Sequence, residues 1–179
     1  MLELTIKATE YFDESEGLFV TLDAVTLRFE HSLLAISKWE SIHKKPFLVR
    51  GEKTPEQLLS YFQCMRLDPG PLEDLYRLGE SQVKELHEYM NSSATATTFT
   101  DREPTRGSGE QITSELIYYW LTAYQIPFEC ETWHINRLMA LVKICSIKNA
   151  PKKKMRRSEI LSRNRALNEQ RRAQLGTTG

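Results

Sequence analysis

The sequence predicts a mainly α protein with a small N-terminal antiparallel β element, a helical bundle centred on an αα-hairpin, and a basic helical C-terminal tail. Three observations lead there. Residues 2–8 (LELTIKA) alternate apolar and polar, with Leu2, Leu4 and Ile6 on one face, the period-two signature of a strand. From Phe29 onward apolar residues fall close to helical spacing, as on helices that turn one face to a core. After Ile147 the apolar pattern stops and the charge changes sign. Residues 148–179 hold ten basic and two acidic residues, whereas residues 1–147 hold 14 basic and 22 acidic.

The elements follow in order. Asp13-Glu14-Ser15-Glu16-Gly17 is a turn signal, and residues 18–22 and 25–29 are short and rich in β-formers. Together they predict a small sheet or hairpin. Phe29, Leu33, Leu34, Ile36 and Trp39 predict a helix over residues 31–42, ended by Pro46, with Lys38, Glu40, Lys44 and Lys45 on its wet side. Thr54-Pro55-Glu56-Gln57 offers an N-cap, a first-turn proline and an acidic residue. The helix it opens runs to about Arg66 and buries Leu58, Leu59, Phe62 and Met65. Asp68-Pro69-Gly70-Pro71 turns the chain, a short helix fits residues 71–78, and Ser81 caps another that carries Val83, Leu86, Tyr89 and Met90.

Residues 91–109 hold one large apolar residue, Phe99, and read as a long polar loop of a kind unusual inside a compact domain. The two most apolar helices come next. Ile112, Leu116, Ile117, Tyr119, Trp120, Leu121 and Tyr124 lie on the first; Trp133, Ile135, Leu138, Met139, Leu141, Val142 and Ile144 lie on the second. The break at residues 125–128 makes the pair an αα-hairpin, the expected centre of a domain over residues 1–147. Residues 148–157 read as a basic linker. Residues 158–175 form a helix with a thin stripe of Ile160, Leu161, Leu167 and Leu175, marginal on its own in water.

The composition excludes several classes. Of the 179 residues, 40% are apolar and 27% charged, enough to bury a core and unlike a disordered chain. No apolar run approaches the roughly 18–20 residues of a membrane span, and residues 1–8 do not form a signal peptide. Cys64, Cys130 and Cys145 are odd in number and lack CxxC spacing. They predict three small, buried or half-buried thiols in a reducing compartment, with neither disulfides nor structural zinc.

Residues that could carry chemistry have plainer readings. Cys130 and His134 stand four apart and could pair on one helical face, but no third ligand or orienting group lies at a recognisable spacing. Glu129 and Glu131 suit a first helical turn. Gly107-Ser108-Gly109 lacks the lysine and hydroxyl of a phosphate-binding loop. Trp39, Trp120 and Trp133 fall at core positions. The sequence therefore predicts no catalytic residue, cofactor or metal. Its most pointed feature is the run Lys152, Lys153, Lys154, Arg156 and Arg157 followed by the stripe Ile160, Leu161 and Leu167. A charge run of this kind fits a protein partner, a nucleic acid, or simple solubility.

Several strings resemble a known family. They are residues 27–48, with EHSLLAISKWES at 30–41; ATATTF at 94–99; and residues 112–157, with IPFECETWHINRL at 126–138, continuing into the tail. Together they cover most of the chain. They resemble proteins encoded in the structural gene modules of tailed bacteriophages and prophages, associated with the tail genes and taken to be tail assembly chaperones. The resemblance implies a non-catalytic morphogenesis protein of the host bacterial cytoplasm. Its expected partner is a phage structural protein, the tape-measure or another tail protein, with nucleic acid a second fit to the basic tail. The alternative is a virion structural component, whether head–tail connector, tail completion or DNA-contacting protein. The family shares no catalytic motif, so no site residue carries over.

Overall fold

The computed structural model describes residues 1–15, 17–49, 51–99, 111–150 and 157–176, without the side chains of Arg157 and Glu159. The fold class is as the sequence predicts, mainly helical with a small N-terminal antiparallel β element. The chain divides into two units, Met1–Ser146 and Ile147–Gly179.

The first unit begins with a nested hairpin. Strands β1 (Leu2–Ile6) and β4 (Val25–Phe29) pair antiparallel from Leu2↔Phe29 to Ile6↔Val25. Strands β2 (Thr9–Asp13) and β3 (Leu18–Leu22) pair from Thr9↔Leu22 to Asp13↔Leu18. The register is the same in both pairs, so this is one long ribbon whose ladder is interrupted at residues 7–8 and 23–24. The sequence pattern missed β2 because Thr9–Asp13 does not alternate. At the tip, the Asp13 carboxylate accepts from the Ser15 backbone N–H at 2.9 Å and its hydroxyl at 2.6 Å. Gly17 takes the left-handed conformation, φ 64°, that closes the turn and that a Cβ would oppose.

The two halves of the ribbon differ in burial. Leu4, Ile6, Leu27 and Phe29 of the β1–β4 base are buried. The β2–β3 arm leaves Tyr11, Phe12, Leu18 and Phe19 exposed. Where the ladder breaks, the Arg77 guanidinium donates to the carbonyls of Lys7 (3.1 Å), Leu22 (3.4 Å) and Asp23 (2.8 Å). It supplies the donors that the strands no longer offer each other.

Helix α1 (Leu33–His43) starts at Ser32, whose hydroxyl accepts from the Ala35 N–H at 3.2 Å, and stops at Lys44 in the left-handed region, φ 52°. That is two residues before the expected block at Pro46. Helix α2 (Pro55–Met65) is opened by the capping box of Thr54 and Gln57. Its most buried side chains are Tyr61, Phe62 and Met65, while Leu58 and Leu59 are only half-buried. Helix α3 (Glu73–Tyr76) is short. Helix α4 (Glu80–Asn91) starts one residue before the expected Ser81 cap; the Gln82 amide oxygen accepts from the Gly79 N–H at 3.0 Å. Helix α5 (Ser114–Ala123) is capped by Thr113. The chain then breaks at Gln125, φ 56°, passes through a 3-10 turn (Phe128–Thr132) and enters α6 (Ile135–Asn149).

The weight of the packing departs from the expected centre. The sequence placed the α5–α6 hairpin there, as the two most apolar helices. Instead α1 is the hub, approached closely by α2, α5 and the 3-10 turn. Helix α5 buries only Ser114, Ile117 and Leu121 and leaves Tyr119 exposed. Trp120 and Trp133 are half-buried; Trp39 on α1 is the fully buried tryptophan. Its indole N–H donates to the Gln57 carbonyl at 2.9 Å, the partner a buried indole needs. A long apolar helix cannot be assigned from its pattern to the middle or the rim of a bundle, because aromatic rings can cover a core from its edge.

The second unit is dominated by helix α7 (Arg157–Leu175), closed by Gly176 at φ 64°. Among the described residues, no helix is long and apolar enough to cross a membrane.

Candidate partner-binding surfaces

Lys152, Lys153, Lys154 and Arg156 of the expected partner-binding run lie outside the described residues, as does the Gly107-Ser108-Gly109 segment. Arg157 is the first residue of α7. Ile160, Leu161 and Leu167 are all on that helix, 44%, 61% and 41% exposed. At 100° per residue the three fall within an arc of roughly 120°. Leu175, also exposed, continues the stripe, and Asn164 and Arg171 interrupt it. The remaining surface carries Arg163, Arg165, Arg172 and Glu169. The helix thus presents a narrow apolar seam on a basic cylinder, and Arg172 in the last turn suits the negative end of its dipole. Such a seam is too thin to fold alone but wide enough to lie along another helix.

A second surface is the β2–β3 arm. Register puts Phe12 and Phe19 opposite each other on one face, with ring centroids 5.1 Å apart. Tyr11 and Leu18 lie on the other face. These side chains are half to two-thirds exposed, at 50% for Tyr11, 51% for Phe12, 59% for Leu18 and 69% for Phe19. The sequence reading did not single them out. The available signal was chemical rather than periodic, because residues 9–23 combine this apolar group with five acidic residues and no basic one.

A third surface is a groove of about 630 Å³ lined by Ile42, Leu59, Cys64, Leu72 and Tyr76 from α1, α2 and the α3 segment. The buried Gln63 side-chain oxygen at its wall has no hydrogen-bond partner. Burial pushes the Cys64 thiol up.

The interior also holds polar groups that the sequence did not place. His31 and His134 are both buried, with rings 5.1 Å apart. His31 Nδ1 and the Tyr61 hydroxyl share a hydrogen bond of 2.5 Å. Burial, and then the charge of His134, lowers His31 to about 3. The Tyr89 hydroxyl donates to Glu30 at 2.6 Å. Burial, followed by that carboxylate, raises the Tyr89 phenol. Glu40, expected on the wet side of its helix, is buried. One of its oxygens accepts from the Phe47 N–H at 2.7 Å, the other from the Ser114 N–H at 2.8 Å. It sits at the positive N-terminus of α5 and ties that helix to the loop after α1.

By their spacing His134 and Cys130 could have shared one helical face. Instead the His134 Nε2–H donates to the Tyr89 carbonyl at 3.1 Å, and its Nδ1 accepts from the Asn136 N–H at 3.3 Å. Both ring nitrogens are held by backbone. Burial and the neighbouring Glu129 raise the Cys130 thiol, the reverse of an activated thiolate. The arrangement is not that of a Cys–His nucleophile. Glu131 accepts from the Tyr118 hydroxyl at 2.7 Å, which gives it a structural partner. Among the described residues, no three His, Cys, Asp or Glu side chains gather in a way that could hold a metal ion. Compared with protein-family models, curated proteins and solved structures, the chain finds no match.

Proposed function

We propose that the chain is a non-catalytic phage morphogenesis protein, a tail assembly chaperone that engages the tape-measure protein through its basic tail. The observation that carries this reading is α7, whose Ile160, Leu161 and Leu167 share one face and stay exposed on a basic helix. A long helical client with an apolar seam would cover that stripe, and acidic residues flanking the client's seam would meet the surrounding arginines. A helix marginal by itself gives up part of its contact energy to ordering, which favours release when the client is handed on. The resemblance of the strings at residues 30–41 and 126–138 to phage tail-gene proteins supports the same reading.

The test is coexpression of the full chain with the tape-measure protein of the same phage. The chain is expected to keep that protein soluble, and the triple variant Ile160→Ser, Leu161→Ser, Leu167→Ser to lose the effect at any salt. Neutralising Lys152, Lys153, Lys154, Arg156 and Arg157 should weaken binding at low salt and much less near 1 M, where the Debye length is about 3 Å. Unchanged solubility with the serine variant overturns the reading. Mass spectrometry of purified virions should find the chain absent. Its retention there would favour the alternative role in the particle, at the connector, in tail completion or against DNA.

A further inference from the structure

We propose that the β2–β3 arm of one copy is covered by the basic helix α7 of a second copy, so that the chain self-associates head to tail. The inference goes beyond client binding and needs no client.

The arm cannot be explained as a free surface. An antiparallel ribbon normally buries one apolar face and wets the other, and two strands alone are marginally stable in water. This ribbon exposes Phe12 and Phe19 on one face and Tyr11 and Leu18 on the other. The Phe12–Phe19 pair, with ring centroids 5.1 Å apart, is an exposed apolar surface of the kind that marks an interaction site.

Charge selects the occupant. Residues 9–23 carry Glu10, Asp13, Glu14, Glu16 and Asp23 and no basic residue. Two arms brought together would set five carboxylates against five, so arm-to-arm pairing is opposed. Acidic residues along the edges also discourage strand addition. The complementary partner must be basic and must offer a narrow apolar seam. The second unit has both properties, with ten basic residues against two acidic ones and the exposed stripe of Ile160, Leu161 and Leu167. The stripe from Ile160 to Leu167 rises about 10 Å along the helix, comparable to the width of two strands about 5 Å apart with their side chains. It fits across the Phe12–Phe19 pair with arginines left to meet the acidic rim.

The experiment is sedimentation equilibrium of the full chain across concentration and salt. The wild-type chain should associate, at least tenfold more weakly near 1 M salt than at low salt. An arm variant, Phe12→Ser with Phe19→Ser, and a tail variant, Ile160→Ser with Leu167→Ser, should each be monomeric where the wild type associates. Mixing the two should restore a one-to-one complex, because each contributes the surface that the other lacks. The charge variant Glu10→Lys with Glu14→Lys, which leaves the rings in place, should also be monomeric, and circular dichroism should find all three variants folded. A wild-type chain that is monomeric throughout overturns the proposal, as does association that survives the arm or charge variants. A mixture that fails to associate replaces it with like-to-like contact. If the tape-measure protein is never bound but the mixture associates, the client reading fails and this one stands.

Discussion

The two halves of the N-terminal hairpin have five residues in each strand, the same antiparallel pairing and one continuous register. Their burial is opposite. In the β1–β4 base, Leu4, Ile6, Leu27 and Phe29 point into the core and the residues between them point out. In the β2–β3 arm no residue is buried. Pairing therefore does not decide whether a ribbon belongs to the core; what lies against its face does. The end of α2 extends the base, through hydrogen bonds of Glu30 N–H to the Met65 carbonyl and Leu67 N–H to the Arg28 carbonyl, both 2.9 Å. Among the described residues no segment extends the arm in this way, and the break clamped by Arg77 separates the two regimes.

The sharpest way to break the comparison is to remove one ring from the base. Phe29 is fully buried, so Phe29→Ala should cost about 3–5 kcal/mol, the usual range for a deleted core phenylalanine. Chemical denaturation of the full chain measures it. A loss below about 1 kcal/mol would put Phe29 in the same class as the arm rings.

Acid should act next most strongly, and on the base rather than the arm. His31 follows β4 by two residues and is held near 3 in the folded chain, against about 6.5 when unfolded. Above about 6.5 neither state binds the proton and His31 contributes nothing. Below that the unfolded chain takes the proton and the folded one does not, so stability falls with pH by up to about 1.4 kcal/mol per unit until pH approaches 3. His31→Gln should flatten the slope between about pH 6 and pH 4. An unchanged slope there would assign the acid sensitivity to other groups.

The base was legible in the sequence, and so were the turn and strand β3 of the arm; strand β2 was not. Leu2, Leu4 and Ile6 alternate because one face of β1 is covered, and alternation is what a sequence displays of a half-buried strand. Thr9–Asp13 does not alternate, and none of its residues is buried, so β2 escaped notice. The helix start at Thr54 was local chemistry and could be read; the burial of Glu40 was not, because its partners are the N–H groups of Phe47, beyond the end of α1, and of Ser114, 74 positions away. The same holds for His31 and His134, which meet across 103 positions of sequence. On α7 the stripe was visible as spacing, and the helix formed where that spacing placed it.

A smaller effect should follow from loosening the joint between the halves. Arg77→Ala removes three hydrogen bonds to carbonyls at the ladder break. The expected cost is about 1–2 kcal/mol, on the scale of charged hydrogen bonds lost at a partly wet site. Hydrogen exchange locates the effect. Amides of β2 and β3 should lose protection while those of β1 and β4 keep it. Equal loss in both halves would mean that the ribbon behaves as one unit and that the break is not a boundary.

The smallest effect on stability is expected at Phe19, and it tests the comparison most directly because it makes the same chemical change as Phe29→Ala. Phe19 is 69% exposed, so alanine returns little surface to water. What is lost is mainly the cross-strand contact with Phe12 at 5.1 Å, worth roughly 0.2–1 kcal/mol for a pair of this type. Part of even that is offset, since the exposed ring no longer needs to be held in one rotamer. The net change should stay below about 1 kcal/mol, a shift in Tm of roughly 2–4 °C or less for a chain of this size. Self-association should fall at the same time, which a core substitution of equal thermal effect would not produce. A loss near that of Phe29→Ala would mean that the arm is packed in solution within each copy, and the contrast between the two halves of the hairpin would disappear.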